Sequence, residues 1–347
     1  MAAKASRYAS QLRQELRVFC RGHARGRAHV ESYGEQPVIV FAPENGRHGN
    51  FFDAAYGAIL ARPEWMRRFD KVHAQGRSLP KAERRWRELD SCMSSDALLM
   101  NVFCTPGVSD SPALGNVLGM ECEAEPVFGW KARVPLANGR FDRTEVDMRL
   151  GSLLIEAKLT EGDFQTRAAD VVESYRDFDL VFDRELLPRI ELATKRRRER
   201  SEFPEDYSQE FESLVSAPYD GRVSIDRREA EKAQGQRSAN PDRISAQERG
   251  YASYQLIRNV LAAYATGCSF CVIHDRRRPD LREEWFRVMA SVKSAEMRVR
   301  LKVLTWQELA EHLPAELQEF LDCKYGIAAP GRAAGSRIPC GGDCDGG

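Results

Sequence analysis

GRFDRTEVDMRLGSLLIEAKLTE, from Gly139 to Glu161, decides the fold. Between Arg143 and Leu150 the side chains alternate: Glu145, Asp147 and Arg149 on one face, Val146, Met148 and Leu150 on the other. That period of two marks a strand with one buried face. Gly151-Ser152 suits a two-residue hairpin turn. A second strand follows, with Glu156 and Lys158 on one face and Ile155, Ala157 and Leu159 on the other. Two carboxylates and an amine are thus expected to crowd one side of a twisted hairpin.

Crowded carboxylates repel unless a proton or a cation lies between them. A hard divalent ion is held through one or two carboxylates, with waters and phosphate oxygens filling its other positions. Lys158 points the same way and can orient a metal-bound water or offset phosphate charge. The chemistry expected is metal-assisted hydrolysis of a phosphodiester. An exposed sheet face with a cross-strand ion pair would account for the same letters, so the flanking segments have to decide.

Working outward, Gly129–Leu136 (GWKARVPL) reads as a strand and Asn138-Gly139 as a hairpin signal. Upstream, Ser94 or Ser95 is a natural N-cap for a helix running to Phe103, and Asp96 sits in its first turn, where the helix dipole favours acids. Lys81–Leu89 is expected to be helical, as are Ala5–Phe19 and a segment from about Phe52 to Leu60. Pro37–Ala42 reads as a buried strand. Asn50 is the expected N-cap of the helix after it. Downstream, Phe164–Val181 is expected to form one helix. Tyr251–Ala265 is the clearest amphipathic helix of the chain, with Gln255, Arg258 and Asn259 near its start. Ser269–His274 is a buried strand. A helix at Glu283–Val292, a strand at Val299–Thr305 and a helix at Trp306–Leu321 complete the domain.

The charged stretch from Lys195 to Gly250, which includes KRRRER, reads as an insertion, partly helical. The expected layout is an N-terminal helix and basic segment (1–34), one domain (35–325, with the insertion at about 195–250) and a disordered tail (326–347).

A hydrophobic content of 42% supports a real core, and no run approaches roughly 18 apolar residues, so no membrane span is expected. Lysine and arginine balance aspartate and glutamate at 52 each, so any nucleic-acid contact must use local basic patches. Nine cysteines scattered through apolar segments suggest buried thiols and a cytoplasmic location rather than a disulfide framework. The Cys268-x-x-Cys271 pair leads into an apolar strand and has no second pair at zinc-site spacing. There is no P-loop, helix-turn-helix or zinc-finger signature.

An acid on the second strand of a three-stranded meander, eight intervening residues, then Glu156-Ala157-Lys158, resembles the PD-(D/E)xK nuclease superfamily. WRELDSCMSSDALLMNVF (Trp86–Phe103), IEAKLTEGDF (Ile155–Phe164) and YQLIRN (Tyr254–Asn259) look like a branch described as restriction endonucleases. Val146 stands where many members have proline. The resemblance implies an α/β fold with a restriction-endonuclease-like αβββαβ core: a mixed central sheet flanked by helices, carrying the charged helical insertion. It implies that Asp147 and Glu156, with the backbone carbonyl of Ala157, bind Mg2+ or Mn2+. Lys158 would position the attacking water. A further acid comes from the first core helix, Glu88 or Asp96, with preference for Glu88; Gln255 is an auxiliary polar residue.

The activity expected is a magnesium-dependent deoxyribonuclease of type II-like restriction character, with DNA as partner and RNA left open. Dimerisation suits a duplex cutter, though no motif encodes it. Two competing readings are a non-catalytic nucleic-acid-binding module and a metal-dependent phosphohydrolase of small nucleotides.

Overall fold

The computed structural model describes residues 2–32, 37–71, 87–120, 124–192 and 248–329. The chain divides into two compact units, Met1–Ile190 with Gly250–Gly347, and Glu191–Arg249. Nearly all of the second unit lies outside the described residues, and the expected insertion and KRRRER run with it. The same holds for residues 81–86 of an expected helix and for 330–347 of the tail.

The first unit is built on a central sheet of five strands: β1 (Pro126–Lys131), β2 (Glu145–Leu150), β3 (Leu153–Ala157), β4 (Ser269–His274) and β5 (Leu301–Thr305). Their order is β5-β4-β3-β2-β1. β1, β2 and β3 are antiparallel neighbours, whereas β4 runs parallel to both β3 and β5. The sheet is therefore mixed. In β2 the burial alternates as its sequence pattern requires, with Val146, Met148 and Leu150 inside. β3 and β4 lie deep, and their near-continuous apolar letters fit strands covered on both faces.

The main helices are α1 (Ala2–His23), α2 (Asp53–Leu60), α3 (Ser95–Phe103), α4 (Pro112–Leu118), α5 (Tyr254–Thr266), α6 (Pro279–Ser291), α7 (Trp306–Ala310) and α8 (Ala315–Tyr325). On one face of the sheet, Leu256, Ile257, Val260 and Leu261 of α5 and Leu281, Trp285 and Val288 of α6 cluster with Leu154, Phe270 and Val272. On the other, Leu12 and Leu16 of α1, Leu98, Leu99 and Val102 of α3, and Trp306, Leu317 and Leu321 of α7 and α8 cluster with Met148, Ile155, Cys271 and Ile273. Two helical layers thus cover one sheet.

Several expectations need correction. Phe164–Val181 is not one helix. Arg167–Ala168 is extended and pairs with Gly250–Tyr251, and only Ala169–Val172 and Phe178–Val181 are helical. The Asp163 carboxylate accepts from the Gln165 N–H at 2.8 Å, and Gln165 is left-handed at φ 62°. That local bond competes with helix initiation. The segment expected at Trp306–Leu321 breaks into α7 and α8, because Pro314 disfavours helical backbone at the residue before it. Gly129–Leu136 is cut into the end of β1 and a short strand, Val134–Pro135, which pairs with Phe141–Asp142 across the Asn138-Gly139 turn. α1 runs on to His23, past the end expected at Phe19 and into the basic segment. Asn50 does not cap α2. Its side-chain amide donates to the carbonyls of Leu89 and Ser91 instead.

Candidate active site

Both ladders of β2 are interrupted at Asp147. β1 pairs with β2 from Pro126↔Leu150 to Lys131↔Glu145, but Gly129 and Asp147 are missing from the register. Between β2 and β3 the pairing runs from Leu150↔Leu153 to Met148↔Ile155 and stops one pair short of Asp147 and Glu156. The hairpin opens there. In place of a ladder bond, the Ala157 N–H donates to Asp147 Oδ2 at 2.8 Å. The backbone thus turns one acid of the motif toward the strand that carries the other.

Glu156 is 2% exposed and Lys158 5%. The Lys158 ammonium lies 2.8 Å from Glu156 Oε1, yet that oxygen has no aligned hydrogen bond. Glu156 Oε2 accepts from the side-chain amide of Asn259 at 2.7 Å. Lys158 is fixed through its backbone: its N–H donates to the Ile273 carbonyl of β4, and its carbonyl accepts from the Trp306 indole. Burial, then the charges of Glu156 and Asp96, push the Asp147 carboxyl well above the ordinary range, against the opposing pull of Lys158 and the Ala157 N–H. Burial works against the Lys158 ammonium, but Glu156, Glu161 and Asp147 outweigh it and hold its pKa above the normal lysine value.

Around this pair lies a chain of alternating charge. Asp96 Oδ2 accepts from Arg68 at 2.6 Å and from Lys71 at 3.0 Å. Arg68 also reaches Glu145 at 2.6 Å, and Lys71 reaches Glu88 at 3.0 Å. Burial lifts the Asp96 carboxyl, but Arg68 and Lys71 prevail and keep it below its ordinary value. Gly129 makes room for this chain. It is left-handed at φ 62°, and a Cβ there would lie 2.2 Å from Arg68 Nη1.

The structure brings Asp147, Glu156 and Lys158 together. Glu88 stands one ion pair removed, on the 3-10 turn Glu88–Asp90, joined through Lys71 to Asp96. Asp96, rather than the preferred Glu88, is the helix acid whose charge acts on Asp147. Ser94 is the N-cap, accepting from the Ala97 N–H, and Asp96 stands in the first turn as expected. Gln255 is half-buried and donates through its backbone to the Phe164 carbonyl. One helical turn later Asn259 is the α5 residue that touches Glu156. Arg258 beside it donates to the carbonyls of Thr144 and Glu145, fastening the start of β2.

Glu161 also belongs here and was not expected. It accepts from the Ser95 hydroxyl and, at 2.7 Å, from the Leu159 N–H, and its charge acts on Lys158. Its spacing of three residues after Lys158 was the available signal. Among the described residues no group of three or more His, Cys, Asp or Glu side chains converges closely enough to enclose an ion by itself.

Two other groups of residues are structural. Arg277 pairs with Asp275 and Glu15, and buried Arg278 with Asp280. Cys20, Cys92, Cys104, Cys268 and Cys271 are free and buried, whereas Cys323 is disulfide-bonded, a departure from the expectation of free thiols. A cleft of about 870 Å³, bordered by His23, Arg27, Arg47, Asp53 and Phe320, includes none of the acids described above. No described helix is long and apolar enough to cross a membrane.

No curated protein and no solved structure matches the chain. A family model does, over residues 17–326, and its description is Restriction Endonuclease associating with ARP. Since that span covers most of the chain and takes in every residue of the acid cluster, the chain belongs to this restriction-endonuclease family.

Proposed function

We propose that the chain is a metal-dependent deoxyribonuclease that hydrolyses phosphodiester bonds at Asp147, Glu156 and Lys158. One observation carries the reading. Two acids and an ammonium from adjacent strands meet where both ladders of β2 open, and the acids are close enough for Glu156 to raise the pKa of Asp147. The order α3, β1, β2, β3, α5, β4 supports taking the core as αβββαβ. The family description supports DNA as substrate.

The donor set suits a hard cation. Glu156 Oε1 is buried without an aligned hydrogen bond, and Asp147 Oδ1 makes none among the described residues. Asp147, Glu156 and the Ala157 carbonyl would hold Mg2+ or Mn2+, an ion content to take its remaining ligands from water and phosphate. When bound, the ion supplies Lewis acidity toward the phosphate and a more acidic water. The residues of the chain do the rest. Asn259 fixes Glu156 by one oxygen and leaves the other facing the site. The Ala157 N–H does the same for Asp147. Lys158, held protonated by its acidic neighbours, serves as an orienting and charge-offsetting ammonium and not as a general base. Asp96 adds negative potential from behind, moderated by Arg68 and Lys71. Action in the cytoplasm is part of the same proposal.

The test uses the full chain with supercoiled, linear and single-stranded DNA, each with Mg2+ or Mn2+ and with or without a chelator. Cleavage that the chelator stops, and that Asp147→Ala, Glu156→Ala and Lys158→Ala each abolish in folded protein, is the expected result. Cleavage that survives in Asp147→Ala, or that ignores the chelator, defeats the proposal.

A further inference from the structure

The chain is neutral overall, yet one surface beside the acids is not. Lys131, Arg133, Arg140 and Arg143 are all exposed and make no ion pair among the described residues. The acids interleaved with them are committed inward. Asp142 accepts from the Tyr175 hydroxyl at 2.6 Å, Glu145 holds Arg68, and Asp147 holds the Ala157 N–H. The local excess of positive charge is therefore uncompensated, in a protein that pairs many of its other arginines.

These cations sit on or beside a two-stranded ribbon, Val134–Pro135 against Phe141–Asp142, whose tip at 137–141 is exposed. Phe141 is 43% exposed, and the Arg133 guanidinium covers its ring at 4.4 Å. The ribbon is held firmly. Tyr175 joins Asp142 to Tyr254 of α5, the two hydroxyls 2.9 Å apart. The Ala137 N–H donates to the Ser174 carbonyl at 2.8 Å, and the Arg176 N–H to the Pro135 carbonyl at 3.0 Å. Arg258 clamps the following residues, Thr144 and Glu145. The next residue of α5, Asn259, holds Glu156. The ribbon and the acids are thus mounted on the same helix.

We infer that this ribbon, with Lys131, Arg133, Arg140, Arg143 and Phe141, is the surface that grips duplex DNA and leads a phosphate to Asp147 and Glu156. Unpaired arginines present a planar fork matched to phosphate oxygens. A two-stranded ribbon is of a size that the major groove admits. Single strands are bound on platforms of several open aromatic rings, and here only Phe141 among the rings of the ribbon is open. The inference rests on the nuclease reading for its substrate, but it concerns binding and is tested apart from cleavage.

The probe is a labelled DNA duplex, titrated by fluorescence anisotropy over a range of salt without divalent cations. It is bound to the full-length Glu156→Gln chain, with or without Arg133→Ala, Arg140→Ala and Arg143→Ala together. The triple substitution is expected to weaken binding at least about tenfold and to lower the slope of log K against log salt by roughly 2 to 3, near 0.9 per lost phosphate contact. Phe141→Ala alone should weaken binding less and leave the slope unchanged. A matched removal of charge at Arg7, Arg25 and Arg282 should do little. The inference is overturned if the triple variant keeps the parent affinity and slope, or if the matched control loses as much. It is also overturned if Glu156→Gln binds single-stranded DNA or RNA in preference to the duplex, or binds no duplex. If the triple variant binds normally while the parent chain cleaves DNA with a metal, the ribbon is excluded and the nuclease reading stands. If the ribbon is needed for binding but the parent never cleaves, the reverse holds.

Discussion

Two places in this molecule bury charge, and they do it in opposite ways. At the open end of the β2–β3 hairpin, Asp147, Glu156 and Asp96 are gathered, and Lys158, Arg68 and Lys71 are set among them. At the junction of α8 with α1, Lys324 is fully buried and faces no carboxylate among the described residues. Its ammonium donates to the Asn50 carbonyl at 2.9 Å and to the Tyr325 hydroxyl, and lies 4.0 Å above the Tyr325 ring. The first arrangement keeps most of its groups ionised by pairing them. In the second, burial lowers the lysine to about 7, with only the thiols Cys20 and Cys92 pulling the other way. Lys324 in turn helps burial bring His23 down to about 3. Ionised, opposed charge is useful to chemistry on a phosphate. A lone buried amine, hydrogen-bonded to a backbone carbonyl, ties α8 to the loop before α2. Perturbation by itself does not single out the proposed site; the presence of opposed charges around it does.

The comparison can be broken most severely at Asp147. Asp147→Asn removes one of the crowded charges, and cleavage should fall by at least about a hundredfold. The fold should gain rather than lose. The unfolded chain gives up this proton near the ordinary carboxylate pKa, while the folded one keeps it to higher pH, so stability falls as pH rises through that window. The Asn variant should lack that fall and melt about 2 to 4 °C higher at neutral pH. Mg2+ or Mn2+ should raise the melting temperature of the parent, by about 2.7 kcal/mol in stability at a hundredfold excess over Kd, and leave Asp147→Asn unmoved. An Asn variant that melts lower than the parent would contradict the account of mutual repulsion.

Lys324→Met probes the other region. Because the folded amine titrates near 7 and the unfolded one near the ordinary lysine value of 10.5, the unfolded chain binds more protons between those values. Stability should therefore rise with pH above 7. Cys20, held protonated by its hydrogen bond with Cys92 and by burial, and Tyr325, held protonated by burial, oppose that trend above about pH 9, the ordinary range in which an unfolded thiol ionises. Denaturant melts from pH 6 to 9 should show the rise in the parent and a flatter line in the variant. Equal slopes would show that Lys324 is not the group responsible.

Gly129→Ala should have the smallest effect. The new Cβ meets Arg68, which two acids hold in place, and the left-handed backbone costs about 1–2 kcal/mol for a non-glycine residue. Stability should drop by about that much. Adding Arg68→Lys in the same background should cost less than it does in the parent, since the shared contact is already disturbed.

Much of the frame was legible in the letters. The alternation in β2 reports one buried face, the Gly151-Ser152 and Asn138-Gly139 turns set both hairpins, and the apolar run of β4 marks a strand in the middle of the sheet. These are signals between neighbours in sequence, where period and turn chemistry suffice. The breaks were less legible. Gln165 and Pro314 each end a pattern that periodicity would have continued, because one local bond or one ring outweighs it.

The pairing of Glu156 with Lys158 followed from their two-residue spacing on one strand. Asn259 reaches Glu156 across 103 residues, Arg68 reaches Glu145 across 77, and Ser95 reaches Glu161 across 66. No period in the sequence encodes such separations. The choice of Asp96 over Glu88 depended on which side of a short helix faced Asp147. The letters determined which side chains share a face of the hairpin, because that is fixed by backbone geometry over a few residues. Tertiary structure decided which distant groups surround them, and so which charges survive burial, because that depends on the environment each group meets once the sheet and both helical layers have closed.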